Sequence, residues 1–259
     1  MILKRTILLL LLVTCIFACE RAEEPLAPEP EEPVVLEYGT VSGSVTDAET
    51  GNFIPGVTVT LLEQSMETGL GGIYTFQNVV YGDDHTLIVE DVDYKSHSQS
   101  FALRQQRVTV DVALTPLRDT VQEMRDFFDR FSDLLESVDL ENIKAIEAHF
   151  SETYVAADDD ATLFGVASGI IPENYADIVP AMTQLFEEYV FLEFLFNNIQ
   201  MEITHARKAA VTLQLDVNAR KELDEDLREI KAGCKFDFRR EGPDWKIVHW
   251  QLLEIDIRL

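Results

Sequence analysis

Between Leu114 and Leu117 the apolar pattern of this chain changes period. Upstream, Val108, Val110, Val112 and Leu114 recur at every second residue. Downstream, Val121, Met124, Phe127, Phe128, Phe131, Leu134, Leu135 and Val138 recur at spacings of three and four. A period of two gives a strand one buried face, and a period near 3.6 gives a helix one buried stripe. The switch therefore predicts two packing units, each folding independently, joined by Leu114-Thr115-Pro116-Leu117. Pro116 cannot donate to a central ladder and ends the sheet. So short a connector predicts units that touch or keep a narrow range of angles.

Residues 38–116 read as strands throughout. Val41, Gly43 and Val45 alternate with Ser42, Ser44 and Thr46, and Asp47-Ala48-Glu49-Thr50-Gly51 is a turn. Val57, Val59 and Leu61 follow, then Tyr74 and Phe76, then Leu87 and Val89. Short period-two strands with glycine-bearing turns predict an all-β antiparallel sandwich. The motifs Gly43-Ser44-Val45-Thr46-Asp47, Thr50-Gly51, Ile54-Pro55-Gly56-Val57-Thr58-Val59, Gly72-Ile73-Tyr74-Thr75-Phe76 and Val110-Asp111-Val112-Ala113-Leu114 carry a resemblance. The segment resembles a carboxypeptidase-regulatory-like module, which implies a transthyretin-like sandwich serving as stalk, spacer or docking unit without catalysis. It departs from that pattern at Asp93-Tyr94, where such modules often carry Gly-Tyr.

Residues 117–259 begin helical and end as strands. Thr120-Val121-Gln122-Glu123 has the capping-box form, and Asp139 is placed to cap a short helix burying Ile143 and Ile146. Pro172 to Tyr189 predicts another helix, with Pro180 in its first turn. From Phe191 onward the period is two again. Ile199, Met201 and Ile203 form one stripe, and Val211, Leu213, Leu215 and Val217 the next. Ile230, Ala232, Cys234, Phe236 and Phe238 follow, with a final strand from Trp245 toward Leu259. Helices followed by an antiparallel sheet predict an α+β unit. Asp139-Leu140-Glu141-Asn142-Ile143, His149-Phe150-Ser151 and the run Phe236 to Val248 through Gly242-Pro243-Asp244-Trp245 resemble the NTF2-like superfamily, particularly its SnoaL-like branch. That resemblance implies a curved sheet wrapped round helices into a cone with an apolar pocket. Its members include isomerases, cyclases and dehydratases, and many that only bind or assemble, sometimes as homodimers.

The amino-terminal end is of another kind. Lys4 and Arg5 precede an apolar run from Ile7 to Ala18, too short for a membrane span and of the form of a secretory signal peptide over residues 1–18. Ile16-Phe17-Ala18-Cys19 resembles a bacterial lipobox, which implies lipidation at Cys19 and a place in the cell envelope, on the periplasmic or the surface side of the outer membrane. The competing reading is an ordinary secretory leader with Cys19 as a bystander. Residues 19–37 are acidic and proline-rich, as expected of a stretched, disordered tether. Cys19-Glu20-Arg21-Ala22-Glu23-Glu24 also resembles the acidic export signals of Bacteroidetes surface lipoproteins, with a plain tether as the alternative.

The formal net charge of −26 is spread along the chain and acts as self-repulsion and solubility. It argues against nucleic acid as a partner, which needs a basic footprint, and leaves membrane attachment to the acyl chains. Of three cysteines, Cys15 leaves with the leader and Cys19 is the lipid acceptor, so Cys234 stands alone as a small buried hydrophobe. No metal site is expected. Asp158-Asp159-Asp160 and Asp83-Asp84-His85 read as solvated turns, and the histidines lack ligand spacing. No nucleophile elbow or phosphate loop calls for a cofactor. The remaining ionisable candidates for a cone pocket are Asp177, Glu193, His205 and His249. Glu193, which interrupts an aromatic run, and His249 are the foremost. Three functional readings follow. The first is a lipid-anchored binding or assembly protein holding a small apolar ligand or a protein. The second is an isomerase- or cyclase-type enzyme using Glu193 or His249. The third is a glycan-binding surface lipoprotein, for which exposed aromatics are few.

Overall fold

A computed structural model describes residues 37–156, 170, 172–224 and 226–258. The leader, Cys19, the tether up to residue 36 and Asp158-Asp159-Asp160 lie outside the described residues. The period-two region forms β1 (Tyr38–Asp47), β2 (Thr58–Leu61), β3 (Gln64–Glu67), β4 (Ile73–Val80), β5 (Gly82–Glu90), β6 (His97–Leu103), β7 (Arg107–Thr109) and β8 (Val112–Leu114). One sheet runs β4-β1-β7 with β8 also on β1, and the other runs β3-β2-β5-β6. Pairing is antiparallel except that β7 and β8 lie parallel to β1. The alternation puts Val41, Val45, Val59, Leu61, Tyr74, Leu87 and Val89 into one core between the sheets. Gly43 is obligatory, because a Cβ there would stand 1.9 Å from the Val110 carbonyl oxygen. Asp83-Asp84-His85 is inside β5 rather than in a turn. Asp83 pairs with exposed Arg104 at 2.6 Å, and His85 is buried with Nε2 2.9 Å from the Val80 carbonyl.

Beyond Pro116 come α1 (Thr120–Glu136), a 3-10 turn (Leu140–Asn142), α2 (Ile143–Glu147) and α3 (Tyr175–Glu188). They are followed by β9 (Phe191–His205), β10 (Lys208–Arg220), β11 (Arg228–Glu241) and β12 (Asp244–Arg258) in a sheet of order β12-β11-β10-β9. This is the expected α+β cone. Met124, Phe127, Phe128, Phe131 and Leu135 of α1 are buried against it, as is the inward stripe of β11. Three details at helix ends differ from expectation. The N-cap of α1 is Asp119, whose Oδ1 accepts from the Gln122 amide at 3.0 Å. Thr120 is the first helical residue, and Glu123 is drawn away to Arg240. Val121, expected on the buried stripe, is 38% exposed, while Thr120 is buried in its place. In α3 the capping box is Asn174 and Asp177, which places Pro180 inside the helix. The bond its missing N–H gives up is offset by the cap and by burial of Ile178, Met182 and Leu185.

Strict alternation would send Trp245 and Trp250 to opposite faces of the sheet. Both are buried in the cone, at 6% and 0% exposure. The reason is a register shift between Asp237, opposite His249, and Phe238, opposite Ile247. The extra residue, Val248, turns the strand over by one position.

Sandwich and cone fall within one compact unit and share a polar seam. The β9–β10 turn carries Ala206 into the sandwich core. There the Tyr94 hydroxyl accepts from the Ala206 amide at 2.9 Å and donates to Asp47 Oδ2 at 2.8 Å. Arg207 donates to Asp91 at 2.9 Å and to the Pro55 carbonyl at 2.6 Å, and Thr50 and Asn52 both donate to the Thr204 carbonyl. Arg240, 2% exposed in its side chain, donates to the Ala206 carbonyl at 3.1 Å, pairs with Glu123 and lies 3.6 Å from Asp93. Buried polar groups persist only when partnered, and at this seam Tyr94, Arg207 and Arg240 each find partners on the other side.

Candidate functional site

The cone interior is packed with rings. Phe127 meets Phe128 at 5.5 Å and Phe238 at 5.0 Å between centroids. Phe236 meets Trp250 at 4.6 Å, and Phe150 meets Tyr154 at 5.2 Å. Offset and edge-on contacts of this kind add to the stabilisation from burial alone. Cys234 lies among them, its thiol pushed up to about 11 by burial, with the Trp250 indole hydrogen-bonded to it in partial opposition. Burial also raises the Tyr154 phenol, and Asp177 adds to the effect.

The ionisable residues singled out in the sequence lie elsewhere. Glu193 is between inward Leu192 and Phe194, so it projects from the opposite face, where Asn218 Nδ2 donates to its Oε2 at 2.6 Å. His249 is on the same outer face, with Nδ1 3.5 Å from Asp237 Oδ2. β9 and β12 are the two edges of the sheet, so Glu193 and His249 are not brought together. Asp177 serves as a cap, its Oδ2 accepting from the Glu173 and Asn174 amides at 3.1 and 3.2 Å. His205 is buried at the seam, its Nδ1 accepting from the Arg207 amide at 3.2 Å. Burial, helped by Arg207, holds its pKa below the ordinary value.

A cleft of about 520 Å³ opens instead at the rim, between the first half of α1, His149 and the β11–β12 hairpin. Its walls are Phe127 and Trp245, and Glu123, Asp126, Arg130, Asp244 and Lys246 surround it. Glu123 is engaged by Arg240 and by the Trp245 indole N–H at 3.1 Å. Arg240 in turn lies over the Trp245 ring, 4.7 Å from its centroid. His149 packs against Phe127 and Phe131 at 5.1 and 5.3 Å. Its Nδ1 is 2.8 Å from the Ala145 carbonyl, which can only accept, so Nδ1 carries the hydrogen and Nε2 keeps its lone pair. Burial, reinforced by Lys246 and Arg130 against the Ala145 bond, holds His149 below its ordinary pKa. In the sequence His149 is only part of a family-like motif. Its spacing of three from buried Ile146 was the available signal that it turns inward.

Residues 40–115 match the family model of the carboxypeptidase regulatory-like domain. A search of curated proteins found no match. Among solved structures, a Nostoc punctiforme protein of unknown function with a cystatin-like fold is similar at 19% identity and TM-score 0.40, covering 52% of this chain and 90% of its own. The Kfla4162 protein from Kribbella flavida is similar at 12% identity and TM-score 0.43, over 53% of this chain and 93% of its own. A type 2 hexachlorocyclohexane dehydrochlorinase (LinA) is similar at 10% identity and TM-score 0.42, over 54% and 89%.

Proposed function

We propose that this chain is a lipid-anchored cell-envelope protein with a non-catalytic binding or assembly role. Its sandwich and cone act as one stiff module carried on an acidic tether from Cys19 at the outer membrane. The observation that carries the non-catalytic part is the cone core. Rings fill it, and Glu193, Asp177, His205 and His249 all have structural partners outside it. The lipobox-like end of the leader supports the anchor, and several acyl chains at about 0.8 kcal/mol per buried methylene suffice for stable attachment. The charge of −26 supports a partner other than nucleic acid. The partner is a small molecule or a protein.

Growth with an alkyne fatty acid tests the anchor. Label on the wild type and none on Cys19→Ala is expected, and equal label on both would refute it. The binding role is tested separately, by incubating the protein with a panel of cyclisable and isomerisable small molecules. Turnover that disappears in Glu193→Gln or His249→Gln would replace the binding role with the isomerase or cyclase reading.

A further inference from the structure

The rim cleft holds charges of both signs that are not paired with each other among the described residues. Asp126 and Arg130 are four residues apart on α1, a spacing that sets helical Cβ atoms about 6 Å apart, and both border the cleft, yet they form no ion pair with one another among the described residues. Among the described residues Asp126 takes only the Gln122 side-chain amide, at 2.8 Å. The other charges around the cleft are engaged. Glu123 is held by Arg240, and Lys246 donates to the Ala148 carbonyl and stands 4.0 Å from Asp244. His149 Nε2 adds a neutral acceptor, because its partner nitrogen is tied to Ala145.

We infer that this cleft binds a small zwitterion of the α-amino-acid type. Its carboxylate meets Arg130, its ammonium meets Asp126 and the His149 Nε2 lone pair, and its apolar side chain lies between Phe127 and Trp245. Two alternatives fit less well. A simple anion is repelled at long range by a chain of charge −26, and a simple cation takes up Asp126 but leaves Arg130 without a counter-charge, Glu123 being already held by Arg240. A zwitterion carries no net charge and satisfies both groups. A cavity of about 520 Å³ exceeds the volume such a molecule needs. The inference rests on the binding role proposed above but not on the lipid anchor, so it is tested on the chain from residue 20 onward.

The probe is L-phenylalanine, followed by calorimetry and by the His149 ring resonances in NMR. Saturable binding is expected, shifting the His149 signals and weakened about tenfold or more in Asp126→Asn and in Arg130→Gln. Both positions are exposed, so the variants should keep the wild-type fold, which circular dichroism checks. Phenylpropionate, which lacks the ammonium, and phenethylamine, which lacks the carboxylate, should each bind at least about tenfold more weakly than L-phenylalanine. Absence of saturation, equal affinity for either analogue, or full affinity in both variants would overturn the inference. A failure of fatty-acid labelling would leave it standing.

Discussion

The Asp93 carboxylate lies 3.6 Å from the Arg240 guanidinium, with side-chain exposures of 8% and 2%. Asp93 comes from the sandwich and Arg240 from the last hairpin of the cone. Asp93 is the residue at which the sandwich departs from the pattern of carboxypeptidase-regulatory-like modules. The departure stands where a second unit docks, and it supplies the carboxylate that faces Arg240. Burial of Asp93 raises its pKa, and attraction to Arg240 works against that rise.

Replacing Arg240 should therefore be costly. Arg240→Met keeps the volume but takes from Glu123 and Asp93 their buried cation, leaving Glu123 only the half-exposed Arg118 at 3.8 Å. The loss should be about 3–5 kcal/mol, as for removing one partner of a buried pair. Urea unfolding measures it, with Arg104→Gln as the control. Arg104 is an exposed ion-pair partner, and its loss should leave the midpoint in place.

The helix phase of α1 makes a second prediction. Phe131 is 0% exposed and touches Phe127, Phe150 and Phe196. Phe131→Ala should cost about 3–5 kcal/mol. Asp133, two residues on, is exposed, and Asp133→Ala should shift the urea midpoint little. Equal shifts would mean the burial phase is misassigned.

Two histidines set a pH response. His149 and His205 both have pKa values held below the ordinary 6.5, chiefly by burial. The unfolded chain therefore takes up protons at these positions before the native one does. Stability from them is fully present above about 6.5 and is lost as pH falls from there toward the depressed native values. Asp93, with its raised pKa, acts in the opposite direction as its carboxylate protonates. Denaturant midpoints between pH 7 and 5 should fall for the wild type, and less steeply for His149→Gln with His205→Gln. An identical slope in the double variant would exclude these two groups as the cause.

Cys234 should be inert in the folded protein. It is 0% exposed and its thiol is pushed up to about 11, so little thiolate exists at neutral pH. A thiol reagent applied to the chain from residue 20 onward should react only at the rate of unfolding. Rapid stoichiometric labelling under native conditions would contradict the packing around Trp250.

Much of the architecture could be read from period alone. The stripe Ile230 to Phe238 and the alternation in β1 each name one buried face, so the strands and the order of helix and sheet followed. What escaped depended on single insertions and on distant partners. Val248 shifts the register of β12 and brings both tryptophans inward, and no local pattern announces one extra residue. Glu123 looked like the return half of a capping box. Its bonds go instead to Arg240 and Trp245, more than a hundred residues away. The rim cleft escaped for the same reason. Its walls come from α1, the end of α2 and the last hairpin, and only folding sets Asp126 and Arg130 beside His149.

The parallel pairing of β8 with β1 gives the sandwich a direction of mechanical strength. A pull on the amino-terminal end of β1 at Tyr38, opposed at the carboxyl end of β8 at Leu114, slides the two strands along each other. The bonds of a parallel pair are evenly spaced along the strand. Such a load therefore meets the Val45–Val112, Thr46–Ala113 and Asp47–Leu114 steps of the register together, rather than opening them one at a time like a zipper. The connector is stitched down as well, with the Lys95 amide donating to Thr115 and the Leu117 amide to Asp93, each at 2.9 Å. A load between the two ends of the sandwich is thus borne in shear by the β1–β8 contact together with the parallel β1–β7 pairing at Thr40–Arg107, Val41–Val108 and Ser42–Thr109.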